Sequence, residues 1–136
     1  MKSLLFALTF LFIGSSAFSQ DAKKTVTASG LTYISLVPGD GKSPSDGDKV
    51  KCYYIARLST GKVFEDVDKA QFTVGSDKLI PGFNEALKLM KEGGRAKFIM
   101  PPNIAYGEKG NKDLGKNYIV PPNETISFEI VLQKVK

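Results

Sequence analysis

The sequence predicts an α+β domain, an antiparallel sheet wrapped on one short helix. Three observations support this. Residues 49–58, 95–100 and 125–135 alternate apolar and polar side chains with period 2, as half-buried strands do. Only one stretch, within 80–94, changes to helical spacing. Strand follows strand before that stretch and again after it, an order that suits helix packed on antiparallel sheet.

Each element is read in turn. Residues 20–28 are polar and read as a flexible leader. "SGLTYISLVPGDG" (29–41) reads as a strand ending in a Pro-Gly-Asp-Gly turn, and "SPSDGD" (43–48) as a second turn. In "KVKCYYIARL" (49–58), Val50, Cys52, Tyr54, Ala56 and Leu58 share one face, while Lys49, Lys51, Tyr53, Ile55 and Arg57 share the other. "STGK" turns the chain, Val63 and Phe64 begin a short strand, and "QFTVG" (71–75) forms a further one. In 80–94, Phe83, Ala86, Leu87 and Met90 recur at helical spacing. Pro81 suits the first turn there and Gly93-Gly94 the stop. "RAKFIM" (95–100) turns Ala96, Phe98 and Met100 inward, and "TISFEIVLQKV" (125–135) does the same with Ile126, Phe128, Ile130 and Leu132. Between them lies "PPNIAYGEKGNKDLGKNYIVPP" (101–122), bracketed by Pro-Pro pairs. Loops beyond about 12–15 residues are uncommon in compact domains and are often functional.

Composition narrows the function. The chain has 136 residues, enough for one domain with a real core, and a net charge of +5 carried by scattered lysines. No basic run is interleaved with aromatics, so no nucleic-acid partner is expected. Residues 1–19 carry one Lys, an apolar run from Leu4 to Ile13 and then small residues, the pattern of a secretory signal. Ala17 and Ser19 place cleavage before Gln20. The apolar run is shorter than the about 20 residues of a membrane span, so no stable insertion is expected after cleavage. The protein is therefore read as exported, periplasmic or secreted, with a domain over 29–136. Cys52 is the single cysteine and no intrachain disulfide can form; it reads as buried filler. The absence of His removes Ser-His-Asp and Cys-His nucleophilic sites and a main zinc ligand. There is no CxxC, P-loop or strand-linked GxGxxG. No metal or cofactor is expected, and function must come from shape, hydrogen bonds and apolar surface.

"TGKVF", "LIPGFNEAL", "GGRAKFIMPPNIAYG" and "YIVPPNETISFEIVLQKV", in this order, resemble the FKBP-type peptidyl-prolyl cis-trans isomerases over about residues 29–136. The resemblance implies a half-barrel sheet curled around the helix, with an aromatic hollow between them that takes a proline ring. It implies that Tyr54, Phe64, Asp66, Tyr106 and Phe128 act at the rotating bond. Glu65, Leu79, Ile80, Phe83, Ile119 and Val120 are implied to hold the substrate. Phe83 stands where the family usually has Trp. Glu65 and Asp66 both follow Phe64, so which carboxylate faces the pocket stays open. The segment between Phe64 and Phe72 is shorter than in many members, an aromatic frequent two residues before Phe72 is Ala70, and "KGNKDLGKN" lengthens the loop. That loop is implied to be a flap carrying Tyr106 at one end and Ile119-Val120 at the other.

The implied chemistry is rotation about Xaa-Pro bonds, with proline-containing polypeptides as partners, macrolide-type inhibitors as ligands and a monomer as the default. Rotation needs neither nucleophile nor metal, only a site where the amide loses conjugation. A low-turnover proline-peptide binding module and a holdase-type chaperone are the alternatives. The first binds without speeding exchange; the second suppresses aggregation of a proline-free client.

Intact-mass analysis of the exported protein should give a chain beginning at Gln20. A mass that retains residues 1–19 contradicts the signal reading.

Overall fold

The computed structural model describes residues 23–136; the expected signal segment 1–19 and the first leader residues lie outside them. In chain order the elements are β1 (Lys24–Val26), β2 (Thr32–Val37), β3 (Lys49–Leu58), β4 (Val63–Thr73), α1 (Pro81–Leu89), β5 (Arg95–Met100), a 3-10 turn (Pro102–Ile104), β6 (Asn111–Lys112), β7 (Tyr118–Val120) and β8 (Ile126–Val135). Six strands form one open sheet in the order β1-β2-β5-β8-β3-β4, every neighbouring pair antiparallel. β6 and β7 pair separately within the long loop.

The alternation read from the sequence decides which face is buried. Val50, Cys52, Tyr54 and Ala56 of β3, Ile126, Phe128, Ile130 and Leu132 of β8, and Ala96, Phe98 and Met100 of β5 are all buried. α1 fills the concave side with Phe83, Ala86 and Leu87. Burying one such large side chain stabilises by about 1.5–3 kcal/mol, so this shared apolar layer is what holds helix to sheet. The helix begins at Pro81, where the missing N–H costs no hydrogen bond, and ends at Leu89. Met90 is already extended (φ −96°, ψ 165°) but still buried, so it joins the helical stripe from outside the helix.

Three segments differ from the sequence reading. Within the expected flexible leader, β1 pairs with Thr32–Ile34 of β2 as an edge strand. All three β1 residues are exposed, so no alternation marks it. The two short strands expected around 63–64 and 71–75 are one strand, β4. Its middle, "EDVDKA", pairs with β3 through a bulge that shifts register between Cys52 and Tyr54, with Lys69 at φ 55°. A bulge breaks the period-2 pattern, and an outer edge open to solvent tolerates charge, so this middle reads as loop. Last, the long loop is not irregular: Gly110 (φ 64°) lies so close to the Val120 carbonyl that a Cβ there would sit 2.4 Å from it, which leaves room only for glycine.

At Gly82 the helix comes close to β5 and the 3-10 turn that follows it. A Cβ there would lie 2.7 Å from Met100 Sδ and 2.9 Å from the Ile104 carbonyl oxygen. Alanine gains about 1 kcal/mol of helix propensity over glycine, but overpacking costs about 1–3 kcal/mol. Gly82→Ala is therefore expected to lower the melting temperature. An unchanged or raised Tm would show that α1 can lift away without cost.

Candidate functional site

Where α1 enters the concave face it does not fill it. A cleft of about 180 Å³ remains, lined by Tyr54, Glu65, Phe72, Lys78, Leu79, Ile80, Phe83, Tyr106 and Phe128. Its wall is an aromatic cluster. Phe83 meets Phe128 and Phe72 edge-on at 5.2 Å each and Tyr54 at 5.6 Å, and Tyr54 lies 5.8 Å from Phe128. Edge-to-face pairs at these distances match the positive ring edge to the negative ring face. They hold the rings upright around the gap.

Polar groups enter at three points. The Tyr54 hydroxyl donates to Glu65 Oε2 at 2.5 Å. Burial first, and then the Glu65 carboxylate, push the Tyr54 hydroxyl well above its ordinary pKa. Burial and Glu65 likewise raise Tyr106. The Ile80 N–H, just before the helix, and the Tyr106 hydroxyl donate to no protein acceptor among the described residues. Tyr106 is placed by its own loop. Its carbonyl accepts from Gly110 N at 3.1 Å, and the Gly107 N–H reaches back to the Pro102 carbonyl at 2.9 Å. The cleft thus offers a largely apolar slot whose unspent donors include the Ile80 N–H and the Tyr106 hydroxyl.

Seven expected residues line this cleft: Tyr54, Glu65, Leu79, Ile80, Phe83, Tyr106 and Phe128. Phe64, Asp66, Ile119 and Val120 do not. Strand alternation decides between the carboxylates. Glu65 pairs with Ala56, whose side chain faces inward, while Asp66 pairs with Ile55 on the outer face. There Asp66 is exposed beside Tyr53, whose hydroxyl is held above its ordinary pKa by burial and by Asp66. Phe64 packs edge-on behind Phe128 at 6.5 Å, supporting that wall without lining the cleft. Val120 is completely buried, and Ile119 packs against the core. Two lining residues, Phe72 and Lys78, were not among those expected. Phe72 was detectable: it shares the inward side of its strand with buried Val74. No local pattern marks Lys78.

The FKBP-type peptidyl-prolyl cis-trans isomerase family profile matches residues 41–133, and the chain belongs to that family. A probable FKBP-type peptidyl-prolyl cis-trans isomerase FkpA of Neisseria meningitidis is 41% identical over 120 residues, covering 86% of this chain and 42% of that protein. The peptidyl-prolyl cis-trans isomerase Fkbp12 of Drosophila melanogaster is 35% identical over 112 residues, covering 79% of this chain and 99% of that protein. Among solved structures, FkpA from Escherichia coli superposes with a TM-score of 0.74 at 32% identity, over 88% of this chain and 54% of that one. The chain spans about half the length of the FkpA proteins it matches.

Buried neutral groups make stability depend on pH. Burial pushes the Cys52 thiol up to about 12, and Tyr54 and Tyr106 are also raised. Each native pKa lies above its unfolded value, so the native state holds these protons more tightly. Their stabilisation is complete below the unfolded values and is lost as pH rises toward the folded ones. Denaturation midpoints should fall above about pH 8.5 through Cys52, then more steeply above about pH 10 through the tyrosines. Cys52→Ala should remove the earlier part of the decline. A midpoint constant from pH 7 to 11 contradicts the assignment.

Proposed function

We propose that the chain accelerates cis-trans isomerisation of Xaa-Pro bonds in exported polypeptides, with the proline ring seated in the aromatic cleft. One observation carries this reading: a slot walled by Tyr54, Phe72, Phe83 and Phe128 has the Ile80 N–H and the Tyr106 hydroxyl among its unpaired donors, and the chain has no His. Family membership gives it independent support. Export rests on the signal-like residues 1–19.

The physical task is small. The peptide bond resists rotation by about 18–20 kcal/mol because resonance gives it double-bond character. The planar amide is the more polar form, so removing water destabilises it relative to the twisted one. Phe83, Phe128, Tyr54 and Phe72 exclude that water. The Ile80 N–H and the Tyr106 hydroxyl bind substrate carbonyls and hold one side of the bond while the other turns. Glu65, fixed by Tyr54, places a carboxylate beside the slot, where it repels the partial negative charge of a planar amide oxygen. A 10⁴-fold acceleration requires only about 5–6 kcal/mol, within the range of such effects combined. No covalent step or proton transfer is involved. Macrolide-type inhibitors would compete for the same slot, and the working unit is a monomer.

A second reading, holding of unfolded chains, is favoured by one feature. The β6–β7 hairpin springs from Tyr106 and presents a fully exposed Leu114 and a half-exposed Tyr118, with Lys112 Nζ 4.6 Å over the Tyr118 ring. The two readings can coexist.

The deciding measurement is the exchange rate of a short Xaa-Pro peptide with and without the protein. Acceleration is expected, and kcat/KM should vary by less than about twofold from pH 6 to 8, since the tyrosine hydroxyls stay protonated there and no His titrates. Peptide binding without acceleration leaves the binding-module reading. A bell-shaped profile near neutrality, persisting in Cys52→Ala, overturns the mechanism. Phe128→Ala and Phe83→Ala should each reduce the rate at temperatures where the variants remain folded; wild-type rates would make these residues core alone.

A further inference from the structure

The opposite face of the same strands carries a second concavity. A groove of about 570 Å³ is lined by Lys49, Lys51, Gln71, Thr73, Lys134 and Lys136, together with Val50 and Phe72. The strand register explains it. Lys49 lies between Thr73 and Lys136, and the next outward row sets Lys51 between Gln71 and Lys134. Two rows across β4, β3 and β8 thus juxtapose four ammonium groups with a hydroxyl and a primary amide. None of the four lysines is salt-bridged among the described residues. A terminal carboxylate on Lys136 would offset one charge and leave the cationic excess.

Like charges directly opposite each other across strands destabilise a sheet. Both Lys49–Lys136 and Lys51–Lys134 are such pairs, so this corner of the fold repels itself. Lysines commonly guard edge strands against unwanted pairing. Lys49, Lys51 and Lys134 sit on β3 and β8, both interior strands, and Lys136 directly follows β8, while the edge strand β4 contributes Gln71, Phe72 and Thr73 to the groove and no lysine. Edge protection therefore does not account for them. The carboxylates on this face, Asp66, Asp68 and Glu129, gather around Tyr53 instead. Glu129 is held by Arg95, and Asp68 accepts from Gln133 at 3.2 Å.

We propose that this groove binds an acidic, extended polypeptide segment, at a site separate from the aromatic cleft. Lys49 and Lys51 are two residues apart on one strand, so their spacing matches carboxylates at every second position of another extended chain. The outer backbone edge of β4 is open, which lets such a chain lie alongside it. A membrane surface fits less well, because the large exposed apolar residues (Leu114, Val26, Val37 and Val63 among them) include none that lines the groove. Phe72 borders both the groove and the cleft on opposite faces of β4, so a client that passes round this open edge reaches both sites. Linked contacts of this kind raise overall affinity through effective concentration.

The test uses a fluorescent, proline-free peptide of alternating Glu and Ser, so it does not depend on the isomerase reading. Anisotropy at low salt should show binding that weakens steeply as salt is added. The Lys49→Gln/Lys51→Gln/Lys134→Gln/Lys136→Gln variant should bind about tenfold more weakly or worse. Its melting temperature should equal or exceed that of the native protein, because the self-repulsion is removed. A control with Lys23, Lys62, Lys91 and Lys97 changed to Gln has the same net charge and should keep most of the affinity. Loss of affinity in the control equal to that in the quartet variant would show that net charge alone acts and overturn the site. So would failure of the native protein to bind the peptide. Quartet-dependent binding to phosphatidylglycerol-rich vesicles, with no binding to the peptide, would overturn the choice of a polypeptide.

Discussion

The seating of Phe83 against the concave face of the sheet is the contact on which the rest of this structure depends. Among the described residues one α-helix covers the inner face of a six-stranded sheet, and its nine residues cannot cover all of it. Phe83 meets Tyr54, Phe72 and Phe128 edge-on, Tyr54 lies tilted against Phe72 and Phe128, and these rings prop one another upright. The cleft is the space they leave. The same side chains are therefore core on one side and cleft wall on the other. Stability and binding are coupled through them.

The electrostatics follow from that packing. Burial favours the neutral form of the two tyrosine hydroxyls, and Glu65, among the described residues the one carboxylate lining the cleft, is engaged by one of them. Two of the donors left over, the Ile80 N–H and the Tyr106 hydroxyl, are placed by backbone geometry. One lies where an extended residue precedes a proline-led helix, the other where a glycine-bearing loop turns back on itself. Such a site suits orienting and desolvating a bound group, which is what the proposed bond rotation demands.

The two faces of β3 separate two kinds of surface. Inward residues build the core and cleft; outward residues, one step away, carry a charge-segregated face with lysines at one end and carboxylates around Tyr53 at the other. Because a strand alternates sides at every residue, ten residues suffice for both.

The regular parts of the fold were legible in the sequence because they follow local periods. The alternation of β3, β5 and β8 and the helical stripe of α1 appear directly in the residue order, and they place Tyr54, Phe83 and Phe128 on the buried side. Motif resemblance extended this to Glu65, Leu79, Ile80 and Tyr106. Other features depended on which strands become neighbours. The bulged middle of β4 and the exposed edge strand β1 have no period of their own, and only pairing makes them strands. The choice of Glu65 over Asp66 required the register against Ala56 and Ile55. The burial of Val120, and the packing of Ile119 against the core, came with the β6–β7 ladder, which no local pattern announced. The lysine rows are scattered single charges in sequence, and they meet only because β8 returns beside β3. Tertiary structure decided these points because each is a contact across strands, and a period within one strand carries no information about the strand beside it.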